Sequence, residues 1–200
     1  MLCRARYAGL LLLLLFFSLA AGCISFGPAP SRTEGGLSSA QTNVSPIHDV
    51  TSRNAPKVSL DDAIGALRAA SQEGIDTTGM NITRIWGYGV DSSGLATTWV
   101  LGMRGGGNTE LLSYSGGEWK VVDLPLTLPD EEVNLTEIVS PQELFQRNLG
   151  TIVREMNRLN LGEANSLTLD EHTYQIFLQS ASGSSTLSFN AETGELISSP

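Results

Sequence analysis

The chain has 200 residues and a formal net charge of −9. A chain this acidic, with lysine only at Lys57 and Lys120, is a poor partner for nucleic acid or for anionic lipid, so its composition argues against both as ligands. Its cysteines are Cys3 and Cys23, and the sequence after Cys23 therefore has no disulfide and no Cys/His zinc site. Core packing alone must hold the fold together.

The N-terminal residues have the pattern of a secretory signal. A basic start with Arg4 and Arg6 precedes an apolar run from Leu10 to Phe17, and small residues follow. The run is shorter than the roughly 20 residues that a membrane-spanning helix needs. Its order of basic, apolar and small residues is that of a signal peptide, and we assign residues 1–22 to it.

The small residues end in "LAAGC", which resembles the lipobox of prokaryotic lipoproteins, with Ala20 where a leucine is usual. The resemblance implies that Cys23 is lipidated and anchors the protein at the outer face of the cytoplasmic membrane or the cell surface. The alternative is an ordinary signal peptide in which Cys23 has no role. Residues 23–57 are rich in Ser, Gly, Pro and Thr, the composition of a flexible linker.

Residues 58–124 are predicted to form a helix followed by about four strands. Ser59 is the helix N-cap, Asp62 stands in the capping-box position, and Gly74 ends the helix. The strand "NITRIWGYGV" comes next, and hairpins with the turns "RGGGN" and "SGG" follow. The apolar stripe of the helix is Leu60, Ile64 and Leu67. The strand residues expected in the core are Trp99, Leu101, Leu112, Tyr114 and Trp119.

Residues 140–200 repeat this order after a connection at residues 125–139. Ser140 is the N-cap of a second helix, with Pro141 at its first position and Glu143 in the capping-box position. The stripe of this helix is Phe145, Leu149, Ile152, Met156 and Leu159, with Gly162 as its end. The strand "NSLTLD" follows. Later strand residues align with the first copy: Ile176 with Trp99, Leu178 with Leu101, Leu187 with Leu112, Phe189 with Tyr114 and Leu196 with Trp119.

The sequence therefore predicts an α+β fold built from two copies of a helix and an antiparallel meander, with the helix packed on the sheet. One such unit is marginal alone, whereas two can bury more surface together. The closing "FNAETGELI", with Asn190, Gly194 and Glu195, resembles the last hairpin of the PepSY domain. That resemblance implies an extracytoplasmic domain that binds or restrains peptidases and other envelope proteins. The layout also suits cystatin-like folds.

The sequence contains none of the common catalytic or cofactor-binding motifs. It has no H-E-x-x-H, no G-x-S-x-G and no P-loop. His48 falls in the linker and His172 at a turn beside acids, and neither setting is typical of a metal site. The acids of residues 130–132 lack the alternating oxygen ligands of a calcium loop. We predict no catalytic residue, no metal and no cofactor.

One aromatic strand face is the candidate binding surface. Arg84, Trp86 and Tyr88 are spaced by two and share a face of their strand. If that face is exposed, it suits a peptide or a glycan, because aromatic residues and arginine are enriched at the centres of interfaces. The candidate glycosylation sites are the sequon residues Asn43, Asn81 and Asn134.

These features favour a lipid-anchored, non-enzymatic binding module for an envelope protein or peptide. Its expected partners are the membrane, through the lipid on Cys23, and that envelope protein, but not nucleic acid. The alternative is an accessory or sensor subunit that binds a small ligand between the two units. A hydrolase that uses dispersed carboxylates ranks last, because nothing in the sequence selects a pair of acids.

Overall fold

An eight-stranded antiparallel sheet forms the centre of the computed structural model, which describes residues 55–70 and 74–199. The helices are α1 (Leu60–Ala70), α2 (Pro141–Arg147) and α3 (Leu149–Arg158). The strands are β1 (Asn81–Val90), β2 (Thr98–Gly105), β3 (Asn108–Ser115), β4 (Glu118–Val122), β5 (Ala164–Asp170), β6 (Thr173–Ser180), β7 (Gly183–Asn190) and β8 (Leu196–Ser198). The predicted signal peptide, Cys23 and Asn43 lie outside the described residues.

The strands are ordered β4-β3-β2-β1-β5-β6-β7-β8 across the sheet. Each set of four strands is a meander that runs outward from the middle, where β1 pairs with β5. The first meander follows one helix and the second follows two. The α+β class predicted from the sequence is confirmed, and the described residues all belong to one compact unit.

Helix α1 begins where the sequence predicts. The hydroxyl of Ser59 accepts a hydrogen bond of 2.9 Å from the backbone N–H of Asp62, which satisfies one of the free donors of the first turn. Leu60, Ala63 and Leu67 are buried against the sheet, and this face of the helix is the one that its apolar spacing predicts.

Replacement of Gly65 by alanine is expected to raise the free energy of unfolding by about 1 kcal/mol. Gly65 is an exposed residue of α1, and a Cβ at this position meets nothing within 4 Å. Gly94→Ala is the opposing control, because a Cβ there lies 2.6 Å from the carbonyl oxygen of Pro141. Urea denaturation measures both variants, and a Gly65→Ala variant less stable than the wild type would contradict the helix.

The second helix is broken in two, whereas the sequence predicts one helix. Ser140 caps α2 as expected, with its hydroxyl 3.2 Å from the N–H of Glu143. The break is at Asn148, whose side-chain amide donates to the carbonyls of Leu144 (3.0 Å) and Gly194 (2.8 Å). Leu149, placed in the apolar stripe by its spacing, is 46% exposed, so that part of the prediction is wrong.

Helix α3 ends at Arg158, before the predicted stop at Gly162. Asn160 has a φ of 55°, and the N–H of Leu161 reaches back to the carbonyl of Met156 at 2.8 Å. The N–H of Asn160 also donates to the carbonyl of Asn157. These two bonds and the left-handed residue form a Schellman motif. The helix therefore ends at Asn160 in the left-handed conformation, and not at Gly162 as predicted; asparagine adopts this conformation more readily than most other residues.

The three helices cover one face of the sheet, and the main core lies between them. Trp99, Tyr114 and Trp119 are buried in it, as the sequence predicts. The indole N–H of Trp119 donates to the carbonyl of Ala63 at 2.8 Å. The hydroxyl of Tyr174 donates to the carbonyl of Val139 at 2.7 Å. Burial, together with the charge of Asp61, raises the pKa of that hydroxyl, so it stays a donor.

The strand pairing corrects our alignment of the two halves. Trp99 lies opposite Tyr114 in the first meander, whereas the residue opposite Phe189 in the second is Tyr174. Matching by strand partner therefore aligns Trp99 with Tyr174, two residues before Ile176, which the sequence alignment had matched to it. A shift of two keeps every side chain on the same face, so the aligned residues of β6 and β7 are buried as predicted. Leu196 of β8, aligned with Trp119, is 42% exposed, and that position was predicted wrongly.

Candidate functional site

The second face of the sheet, opposite the helices, carries a smaller apolar cluster over the first meander. Its buried members are Trp86, Val100, Leu111 and Leu128, and Tyr88, Val122 and Leu124 pack against them. We call this group the second cluster. All but Leu124 and Leu128 come from strands β1 to β4, whose alternation sends every second side chain to this face.

The connecting segment (residues 125–139) covers that cluster. A Cβ at Gly102 would lie 2.6 Å from Cδ2 of Leu128, so only glycine leaves room for this leucine on β2. The segment is held further along by an ion pair of Asp130 with Arg104 and by the N–H of Val133, which donates to the carbonyl of Ile82 at 2.8 Å. Val133 already belongs to the main core. The segment thus passes from the second face of the sheet to the helix-covered face.

The predicted binding residues Arg84, Trp86 and Tyr88 do share this face, but they are not an open patch. Trp86 is only 9% exposed and packs in one cluster with Leu128, so the condition on which the binding surface was predicted is not met by this ring. Tyr88 and Arg84 are half-buried. The guanidinium of Arg84 lies 5.6 Å from the centroid of the Trp86 ring and pairs with Asp170. Burial raises the pKa of Tyr88 to about 12.

Beyond the connecting segment, the second face of β5, β6 and β7 has a polar surface, which we call the open face. Its side chains are Ser166, Thr168, Gln175, Phe177, Thr186 and Ser188. Phe177 is 37% exposed and lies opposite Ser166 on one side and Thr186 on the other. Tyr88 also lies opposite Ser166. The two rings are therefore two strand spacings apart, about 10 Å.

Phe177 is not among the residues predicted from the sequence to bind a partner. The signal was present, since Ile176 and Leu178 were assigned to the core and the residue between them must point the other way. An aromatic side chain at that position of an exposed strand face is the feature that marks this surface.

A groove of about 190 Å³ lies at the other end of the sheet, beside the edge strand β4. The second-cluster residues Leu111, Val122, Leu124 and Leu128 line it, together with Leu126 of the connecting segment. Val121 of β4 is 61% exposed and Leu126 is 39% exposed. Two acidic residues, Glu110 and Asp123, also border the groove.

The remaining candidate residues lie apart from these surfaces. Within residues 55–70 and 74–199, no group of three or more His, Cys, Asp or Glu side chains could hold a metal ion. His172 is an exposed residue between Glu171 (2.9 Å) and Glu192 (3.6 Å). Asn81 and Asn134 are exposed, and the Asn134 side chain accepts from the N–H and hydroxyl of Thr136. Their glycosylation stays a prediction.

None of the helices in the part of the chain that the structure describes is long and apolar enough to cross a membrane.

No family model matches the chain, and no curated protein matches it. Among solved structures, the chain is similar to the crystal structure of a candidate lipoprotein from Clostridium difficile 630. The sequences are 14% identical, the TM-score is 0.47, and the likeness covers 72% of this chain and 93% of the other. A TM-score of this size does not establish a common fold, so no function is carried over from that protein.

Proposed function

We propose that this chain is an extracytoplasmic, lipid-anchored protein whose α+β domain binds an envelope protein or peptide and catalyses no reaction. The observation that supports a binding role is the incomplete covering of the sheet. Among the described residues, helices pack over the main core on one face, whereas the connecting segment on the other face covers only the first meander. The open face is left to solvent with Phe177 exposed.

The chemistry of the open face suits a protein partner. Its residues are serine, threonine and glutamine around one exposed aromatic ring, and aromatic residues are enriched at interface centres while charged ones are depleted. The one arginine nearby, Arg84, is paired with Asp170. A neutral surface in a chain of net charge −9 removes the desolvation cost that a charged face would impose on binding.

The finer architecture that we propose is a tandem of PepSY-like units at residues 58–124 and 140–200. It is supported by the order of the elements, helix before meander in each half, and by the meeting of β1 and β5 at the centre of the sheet. A role in restraining a peptidase is implied by the PepSY resemblance of "FNAETGELI" alone. The anchor at Cys23 rests on the lipobox resemblance.

The main core argues against the alternative of a small ligand bound between the two units. At their junction, Ile85 of β1 lies opposite Leu169 of β5, and Gly87 lies opposite Leu167. These leucines and Ile85 are fully buried in one continuous core. For the hydrolase alternative, no described group of three or more His, Cys, Asp or Glu could hold a metal ion, and no observation selects a catalytic pair of acids.

Site-specific photocrosslinking in cells tests the proposal. A photoreactive phenylalanine analogue at position 177, in the full chain with its native anchor, is expected to capture an envelope protein. The same analogue at position 149 is the matched control, because Leu149 is 46% exposed but lies on the helix-covered side. Phe177→Ser is expected to weaken retention of the captured partner about tenfold, the loss typical of an aromatic interface anchor, without lowering the melting temperature.

Two outcomes would contradict the proposal. Equal adducts from positions 177 and 149 would mean that Phe177 lies at no particular interface. Absence of any adduct from position 177, in protein shown to be folded, would remove the open face as a binding surface. A Cys23→Ser variant tests the anchor separately, since it is expected to leave the membrane fraction while remaining folded.

A further inference from the structure

Among the described strands, β4 is an edge of the sheet and pairs with β3 alone. An edge strand presents unpaired backbone groups to which another chain can add. The β3–β4 hairpin shows which backbone groups of β4 are unpaired. Gly116 and Gly117 both have positive φ, 64° and 93°, and form a two-residue turn between Ser115 and Glu118. This is a type I′ turn, the usual connection of a tight hairpin.

In such a hairpin, each of the two residues that flank the turn donates its N–H to the carbonyl of the other. Along the two strands, pairs of opposite residues that share two such bonds then alternate with pairs that share none. Ser115 and Glu118 are that first pair, so Tyr114 with Trp119 and Leu112 with Val121 are the pairs without mutual bonds. The N–H and C=O groups of Trp119 and Val121 therefore point away from β3. They offer four backbone groups to a strand laid along the edge.

The groove beside this edge supplies side-chain contacts. Val122 and Leu111 lie opposite one another in the ladder and line the groove with Leu126 of the connecting segment. Leu126 is 39% exposed and adds apolar surface to the groove that a partner can cover. An extended peptide sends every second side chain to one side, so alternate apolar residues would enter the groove.

The charged residues near the groove indicate the chemistry of the peptide residues that lie between the apolar ones. Glu110 and Asp123 border the groove, and strand alternation sends the side chain of Glu110 to the opposite side of β3 from Leu111. The charged residues of β4 itself, Lys120 and Glu118, pair with each other at 3.4 Å. The peptide residues between the apolar ones point to that same opposite side. Glu110 adds negative charge there, in a chain of net charge −9, and this favours basic side chains at those positions.

We propose that the β4 edge binds an extended peptide of alternating apolar and basic residues, which adds to the sheet as a ninth strand. This site is separate from the open face around Phe177. Its occupant is defined by two independent features, the outward backbone groups of Trp119 and Val121 and the apolar groove flanked by the acids Glu110 and Asp123. The other described edge, β8, has only three residues, too few for an extended partner to pair along it.

Fluorescence anisotropy with a labelled peptide of alternating lysine and valine tests the site on the intact mature protein. Val121→Pro removes the outward N–H while the ladder to β3 is kept, and it is expected to weaken binding about tenfold, as loss of one or two backbone hydrogen bonds and the fit around them implies. Val121→Thr keeps the N–H and the branched shape, and it is expected to bind like the wild type.

The charge requirement is tested on the same peptide. Exchange of lysine for glutamate in the peptide is expected to weaken binding at least tenfold, and the combined variant Glu110→Gln with Asp123→Asn is expected to weaken lysine-peptide binding about fivefold and flatten its salt dependence. Circular dichroism and thermal melting confirm that each variant is folded. Phe177→Ser is expected to leave the affinity unchanged, which separates this site from the open face.

The proposal is overturned if folded wild-type protein binds neither peptide, or if it binds both peptides equally. It is also overturned if Val121→Pro, melting like Val121→Thr, binds as tightly as that control. Should Val121→Pro not fold, the same question is answered by a lysine–valine peptide that is N-methylated on the residues facing β4. Undiminished binding of that peptide would exclude strand addition.

Discussion

Replacement of Trp99 by alanine is expected to lower the free energy of unfolding by about 3–5 kcal/mol. Trp99 is fully buried, so the change removes a large apolar side chain and leaves a cavity. Its indole N–H also donates to the carbonyl of Val58 at 3.0 Å, and this bond helps to hold the chain that enters α1 against the sheet. Denaturation in urea, followed by circular dichroism, measures the loss.

A double-mutant cycle with Gly87 tests the packing that this prediction assumes. Gly87 lies opposite Trp99 in the ladder, and a Cβ at Gly87 would be 2.7 Å from Cζ3 of the indole. Gly87→Ala alone is expected to cost about 1–3 kcal/mol through overpacking. The same change in a Trp99→Ala background is expected to cost clearly less, because the ring that it meets is gone. Additive losses would contradict the contact.

The starts of the helices and the faces of the strands were predictable because local chemistry decides them. Ser59 and Ser140 each bond a backbone N–H three residues on, and any sequence with these caps presents the same signal. Alternation of apolar residues decided the faces of β2, β3, β6 and β7, so the core positions of Trp99, Tyr114 and Phe189 were correct.

The break between α2 and α3 was not predictable from local pattern. The apolar spacing from Phe145 to Leu159 continues through the break, and the nearby Gly150 lies inside α3 and does not mark Asn148 as the break. What stops the helix there is a bond from its amide to the carbonyl of Gly194, a residue of the last turn in the chain. Such a partner can be known only once the fold has brought the two segments together.

The alignment of the two meanders failed for a related reason. Hydrophobic alternation has a period of two, so a shift of two residues leaves the same pattern of buried and exposed positions. Only the strand partner distinguishes Tyr174 from Ile176 as the counterpart of Trp99, and partners are set by the turns between strands. The turns at residues 106–107 and 181–182 both have two residues, whereas the predicted alignment made the second hairpin two residues shorter than the first.

The candidate site was predicted in part. The sequence places Arg84, Trp86 and Tyr88 on one strand face, and they share it. It could not reveal that a leucine from the connecting segment would cover the indole, because the path of residues 125–139 depends on contacts with β1 and β2. The room for that leucine is made by Gly102, whose role is invisible until its neighbour is known.

Replacement of Leu128 by alanine is therefore expected to lower the free energy of unfolding by about 2–4 kcal/mol and to shift the fluorescence of Trp86 to longer wavelength. Leu128 is 5% exposed and packs on Gly102 and Trp86. Leu126→Ala is the matched control in the same segment. Because Leu126 is 39% exposed, that variant is expected to change stability by no more than about 0.5 kcal/mol and to leave the emission unchanged.

Leu128→Ala and Leu126→Ala also test whether the proposed binding surface extends from the open face to Trp86. With Leu128 shortened, the ring of Trp86 gains access to solvent beside Tyr88, and Tyr88 already lies opposite Ser166 of the open face. The predicted aromatic face and the open face then become one surface, and Leu128→Ala is expected to increase crosslinking from position 177 in protein that remains folded. Equal stability and equal emission in the two variants would mean instead that the connecting segment does not cover Trp86 in solution.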